Sequence, residues 1–150
     1  MHLWQRRLFG VLALGGSFTG LAVGLALLLV PGGILNKILS LPLLAMYVWG
    51  MICGLRLLEG RDEALRSNFY FWLVQIPFLT SPIAGYSFSS GASLYFMYQP
   101  SASTWNYFAG FGSQFSYSLL QTDKPFVAGF NLFALAVCGY LFFLLRRLPP

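Results

Sequence analysis

Apolar and polar positions alternate in two different rhythms along this chain. Residues 8–30 form the first uninterrupted apolar run, twenty-three positions without a charge. At ~1.5 Å per helical residue such a run crosses a hydrocarbon core of ~30 Å. It is longer than a signal-peptide core and no A-x-A site closes it, so an uncleaved anchor is expected. Pro31, Gly32 and Gly33 stop it, Asn36 and Lys37 complete a short loop, and a second run covers residues 41–58, with Ser40 as cap and Pro42 in the first turn.

A third run, residues 69–85, contains Pro77 and Pro82. A proline inside a spanning helix frees a carbonyl that neighbours must satisfy, so a kinked helix is expected, with Thr80 and Ser81 helping near its outer end. The fourth run, residues 125–145, starts after Asp123, the expected cap, with Pro125 in the first turn. It stops at Arg146 and Arg147.

Residues 86–121 obey a period of two. Tyr86, Phe88, Phe96 and Tyr98 alternate with serines and glycines, and Trp105, Tyr107, Phe111, Phe115 and Tyr117 repeat the pattern after the turn-forming segment 99–104. This predicts an antiparallel hairpin with one aromatic face on the outer ends of the helices. Two strands alone are only marginally stable, so the hairpin should lean on the helices, a partner or lipid.

Composition decides the solvent. Hydrophobic residues make up 57% of the 150-residue chain and charged residues 9%, too few charges to coat a water-facing surface. The net charge of +5 comes from scattered basic residues that form no stripe for phosphates, so nucleic acid is not an expected partner. Those residues instead report topology. Arg6, Arg7, Arg56, Arg61, Arg66, Arg146 and Arg147 fall on one side and only Lys37 and Lys124 on the other, which predicts cytoplasmic termini and a periplasmic hairpin. The expected fold is therefore an all-α integral inner-membrane protein, a single four-helix transmembrane bundle with an outer antiparallel β-hairpin between the third and fourth spans. The segment 59–66 is its charged cytoplasmic turn, in which Asp62 would pair with Arg66 and Arg56 would snorkel or pair with Glu59.

Candidate chemistry is sparse. His2 is the only histidine, Cys53 and Cys138 stand apart in apolar runs, and neither a C-x-x-C nor a phosphate-cradling loop occurs. These facts point away from metal, cofactor, disulfide-exchange and triad chemistry, and no enzyme is expected. No carboxylate lies inside a span, so proton-coupled transport lacks its usual residue. Gly16, Gly20 and Gly24, with Gly50 and Gly54, make small-residue stripes for close helix packing, within the chain or against a neighbour. Gln75 and Asn131 are the candidate intramembrane polar groups, and Pro77, Ser81 and Pro82 the candidate kink positions.

The expected role is that of a non-enzymatic accessory or assembly subunit in a lipid bilayer. It would dock another membrane protein, or itself, through the glycine-lined helices and the aromatic hairpin. The alternative is a small channel, transporter or lipid-binding module, homo-oligomeric, with Gln75 and Asn131 facing a polar path.

Overall fold

The structure is a computed structural model and describes residues 3–31, 33–61 and 63–147. Its elements in order are helices α1 (Leu3–Leu29), α2 (Ile34–Leu58) and α3 (Glu63–Leu73), strands β1 (Pro77–Thr80), β2 (Ala84–Ser89), β3 (Ala92–Gln99), β4 (Thr104–Phe111), β5 (Gln114–Leu119) and β6 (Val127–Asn131), and helix α4 (Leu132–Leu145). The strands form one antiparallel sheet in the order β4-β3-β6-β1-β2-β5.

This overturns the all-α, four-span reading. Among the described residues, only α1 and the segment Lys37–Leu58 of α2 are long and apolar enough to cross a bilayer, with mean hydropathies of 2.0 and 1.9. The third run is helical only to Leu73 and then becomes β1. Pro77 cannot continue a helical ladder and biases Ile76 toward extended backbone, while the first position of a strand accepts it. The fourth run begins as β6, and its helix covers just 14 residues. Asn131, not Asp123, caps that helix, with Oδ1 accepting from the Phe133 and Ala134 N–H groups. The second helix starts seven residues earlier than expected, at Ile34, which leaves Pro42 inside it.

The hairpin itself forms, and around a longer axis than two strands. Strands β2 and β3 are one limb and β4 and β5 the other, in one unbroken register from Ala84↔Leu119 through Ser89↔Gln114 and Ala92↔Phe111 to Gln99↔Thr104. Both limbs fold over between Ser89 and Ala92, where Gly91 takes φ +91° and its carbonyl still accepts from the Gly112 N–H at 2.8 Å. Only glycine adopts that φ without strain. The free edge of the bent first limb needs backbone partners, and β1 and β6 supply them, β1 along β2 and β6 along β3. The sheet therefore curls until its two outer strands, β4 and β5, meet at Gly112 and Ser113.

Helices α1 and α2 pack as an antiparallel pair. A methyl on Gly54 would sit 2.6 Å from the Leu14 nitrogen and 2.8 Å from the Gly10 carbonyl oxygen, while Gly20 rests on the Tyr47 ring and Gly24 on Leu44. The sheet stands beside the later half of α1, not beyond the helix ends. Gly16 abuts the Ser90–Gly91 backbone, Thr19 bonds Ser113 at 3.3 Å, and Ser40 of α2 bonds Tyr117 at 3.2 Å. Helices α3 and α4 fill the other half below the curl, joined by Phe69 against Phe142 and Trp72 against Phe133.

At the charged turn, Glu59 pairs with Arg61 at 3.1 Å, not with Arg56; the expected Asp62–Arg66 pair lies outside the described residues. A polar link missed in the sequence joins α3 to α2: Asn68 Nδ2 donates to the carbonyls of Cys53 at 2.8 Å and Ala64 at 3.0 Å. Asn68→Leu should lower stability by about 0.5–1.5 kcal/mol, read from unfolding titrations in detergent micelles, because the Ala64 and Cys53 carbonyls keep their helical bonds.

Candidate functional site

Cross-strand partners share a face of a sheet, so the register sorts every strand residue. One face carries Gly85, Ser87, Ser89, Ser93, Tyr95, Ser116, Ser118, Phe78, Thr80, Gly129 and Asn131. The other carries Tyr86, Phe88, Tyr98, Trp105, Tyr107, Phe111, Phe115 and Tyr117. The first is the concave side: Ser89, Ser93, Tyr95, Ser118 and Asn131 are buried there, and Tyr95 packs on Phe78 at 5.3 Å. The aromatic face is convex.

Four of the aromatics are occupied within the chain. Phe88 is fully buried, 4.8 Å from the Tyr47 ring and 6.2 Å from Phe71. Phe115 lies edge-on to Tyr47, Tyr117 bonds Ser40, and the Tyr86 hydroxyl donates to the Val74 carbonyl at 2.8 Å. The remainder lie at the β3–β4 side. Trp105 is 61% exposed, Tyr107 81% and Phe111 92%, although Trp105 stacks on Phe96 at 5.0 Å and meets the tilted Tyr98 ring at 4.6 Å. Apart from Gly110, every residue of β4 is exposed, and among the described residues no strand pairs with its outer edge.

That edge is unusual in chemistry. No charged residue occurs between Arg66 and Asp123 or between Lys124 and Arg146, so every strand of the sheet is free of charge. Sheets that face water guard their edges with lysine, proline or inward charges. None of these guards stands in β4, whose sequence is TWNYFAGF.

The two amides singled out in the sequence hold the sheet to the helices. Gln75 lies where α3 passes into β1, and Asn131 where β6 passes into α4; these two junctions touch through the Asn131 N–H, which donates to the Ile76 carbonyl at 2.8 Å. Gln75 Oε1 accepts from the Ser90 N–H at 2.8 Å while its Nε2 donates to the Phe71 carbonyl at 3.1 Å. Asn131 Oδ1 accepts from the Leu94 N–H at 3.0 Å in addition to capping α4. Thus both amides catch the folded part of the long hairpin, and they do not bond each other. Ser17 adds a third tie, bonding Ser90 at 3.0 Å, and the Tyr47 hydroxyl donates to the Ser89 carbonyl at 3.3 Å.

Pro77 opens β1, and Ser81 and Pro82 form the turn to β2. There the Ser81 hydroxyl donates to the Ala84 carbonyl at 2.6 Å and accepts from the Ala84 N–H at 3.0 Å. Gly50 closes on Ser17 and Phe71. Ser17, Tyr47 and Asn68 escaped the sequence reading because single hydroxyls, phenols and an amide at a helix start are ordinary in such runs. A signal existed for Tyr47 alone, the one phenol on a helix of mostly small and aliphatic residues.

No protein-family model, curated protein or solved structure matches the chain.

Proposed function

We propose that the protein is a non-enzymatic assembly subunit of a bacterial inner membrane, held by α1 and α2, whose β4 edge and exposed aromatics dock a second membrane protein. The single observation that carries this reading is the β4 edge: eight uncharged residues, open along one side among the described residues, that include the exposed Trp105, Tyr107 and Phe111. An edge of that kind offers a row of backbone donors and acceptors to an added strand, and the aromatics offer area. Lipid cannot satisfy that row, because hydrocarbon supplies no hydrogen-bond partners.

The membrane setting rests on α1 and α2. Only 28% and 33% of their most apolar windows are buried by the rest of the chain, so most of that surface needs lipid or a partner. Seven of the nine basic side chains, all of them arginines, lie at or beside the α1 start, the α2 end, the α3 start and the α4 end, and by the positive-inside rule this supports a reading with that end in the cytoplasm and the sheet towards the outer leaflet. The glycine stripes are spent on internal contacts, which moves the docking surface from the helices to the sheet. Gln75 and Asn131 are likewise engaged with backbone groups, and this favours docking over a polar path.

A photocrosslinking side chain at Tyr107 in native membranes should capture a protein, and the same probe at Tyr95, inside the curl, should capture none. Adducts at Tyr107 consisting of lipid alone would overturn the proposal.

A further inference from the structure

At the basic end, α3 and α4 leave a groove of about 590 Å³ between them, lined by Glu63, Arg66, Phe69, Tyr70, Phe142, Leu145 and Arg146. Its walls are apolar and its mouth carries two guanidinium groups and one carboxylate. Arg146 is held at the rim with its guanidinium 4.4 Å from the Phe142 ring centroid. Among the described residues neither Arg66 nor Arg146 pairs with a carboxylate. The groove floor is fixed, because Phe69 meets Phe142 at 6.2 Å and the Cys138 thiol donates to the Phe69 carbonyl at 3.6 Å.

We infer that this groove binds one anionic phospholipid, with the phosphate between Arg66 and Arg146 and an acyl chain along Phe69, Tyr70, Phe142 and Leu145. The occupant follows from charge and depth. Arginine forks match phosphate oxygens, and each basic side chain near a membrane surface adds measurable attraction for anionic headgroups. Apolar walls directly beneath such a pair suit an amphiphile, whereas a free phosphate would leave them in contact with water. Glu63, on the first turn of α3, opposes the anion and limits its affinity. This site is built from α3 and α4 and shares no residue with β4, so it rests on the membrane setting proposed above but not on the docking of a partner.

The test uses the full chain purified in zwitterionic detergent and titrated with short-chain phosphatidylglycerol or phosphatidylcholine, with bound lipid counted by native mass spectrometry. Phosphatidylglycerol should bind preferentially. The double variant Arg66→Gln/Arg146→Gln should weaken that binding by about tenfold or more and leave phosphatidylcholine unaffected. Arg61→Gln, which removes a guanidinium already paired with Glu59, should change it little. Glu63→Gln should tighten phosphatidylglycerol binding severalfold, a gain that a misfolded variant cannot mimic. Equal binding of the two lipids, an unchanged double variant, or a Glu63→Gln variant that fails to tighten would each overturn the assignment.

Discussion

Gly16→Leu is expected to detach the sheet from α1 and to leave little folded protein. A side chain there would run into the Gly91 nitrogen and the Ser90 carbonyl carbon, backbone atoms that have no rotamer with which to yield. Overpacking a tight site costs about 1–3 kcal/mol when side chains can shift, so a clash with fixed backbone belongs at or above the top of that range. The Ser17–Ser90 bond lies one residue away and would be lost with it. The neighbouring Gly15→Leu is the control: a methyl at Gly15 meets nothing within 4 Å, so this variant should melt within about 0.5 kcal/mol of the parent. Thermal unfolding in detergent, with limited proteolysis of the segment 99–104, reads both. A Gly16→Leu protein as stable as Gly15→Leu would mean that α1 and the sheet do not touch as described.

The second large effect is expected at Asn131. Its Oδ1 serves three backbone N–H groups, those of Leu94, Phe133 and Ala134. Asn131→Leu removes a helix cap, costing about 1 kcal/mol, and strands the part-buried Leu94 donor, costing about 1–3 kcal/mol more. A total of roughly 2–4 kcal/mol should appear as a lower unfolding midpoint. Asn131→Asp keeps the acceptor oxygen at the start of a helix, where a carboxylate is favoured, and should recover most of the loss. Failure of the aspartate to rescue would show that the amide nitrogen matters, although that nitrogen makes no hydrogen bond within the described residues.

The alternation in residues 86–121 was legible because it has its own period. Tyr86, Phe88, Tyr98, Trp105 and Tyr117 do share one face, and the turn lies at 99–104 as that pattern requires. Apolar runs are less informative, since 69–85 and 125–145 suit a buried strand, a helix, or a helix joined to a strand equally well. Pro77, Pro82 and Gly129 hinted at the division, yet prolines and glycines are also tolerated in spanning helices. What tipped these runs was remote in sequence. The bent limb formed by β2 and β3 has a free edge that only two further strands can satisfy, and β1 and β6 are the segments that reach it.

The candidate site was visible only in parts. Gln75 and Asn131 stood out as polar groups in apolar surroundings, but their partners, Ser90 and Leu94, depend on a fold in the hairpin that Gly91 permits and no local pattern announces. The eight aromatics of the expected surface lie on one face of the sheet. Which half is available was decided by α2, whose Tyr47 and Ser40 cover Phe88, Phe115 and Tyr117 and leave Trp105, Tyr107 and Phe111 open.

By itself, then, the sequence determined the two long apolar helices, the period-two hairpin and the segregation of arginine, because hydropathy, alternation and charge are summed along neighbouring residues. Tertiary structure alone decided that two further apolar runs would split into helix and strand, that the sheet would stand beside the helices, and that β4 would be one of its two outer strands, without a further strand partner among the described residues. These outcomes turn on hydrogen bonds and close contacts between segments tens of residues apart, such as Gly16 with Gly91 and Asn131 with Leu94, which short-range patterns do not encode.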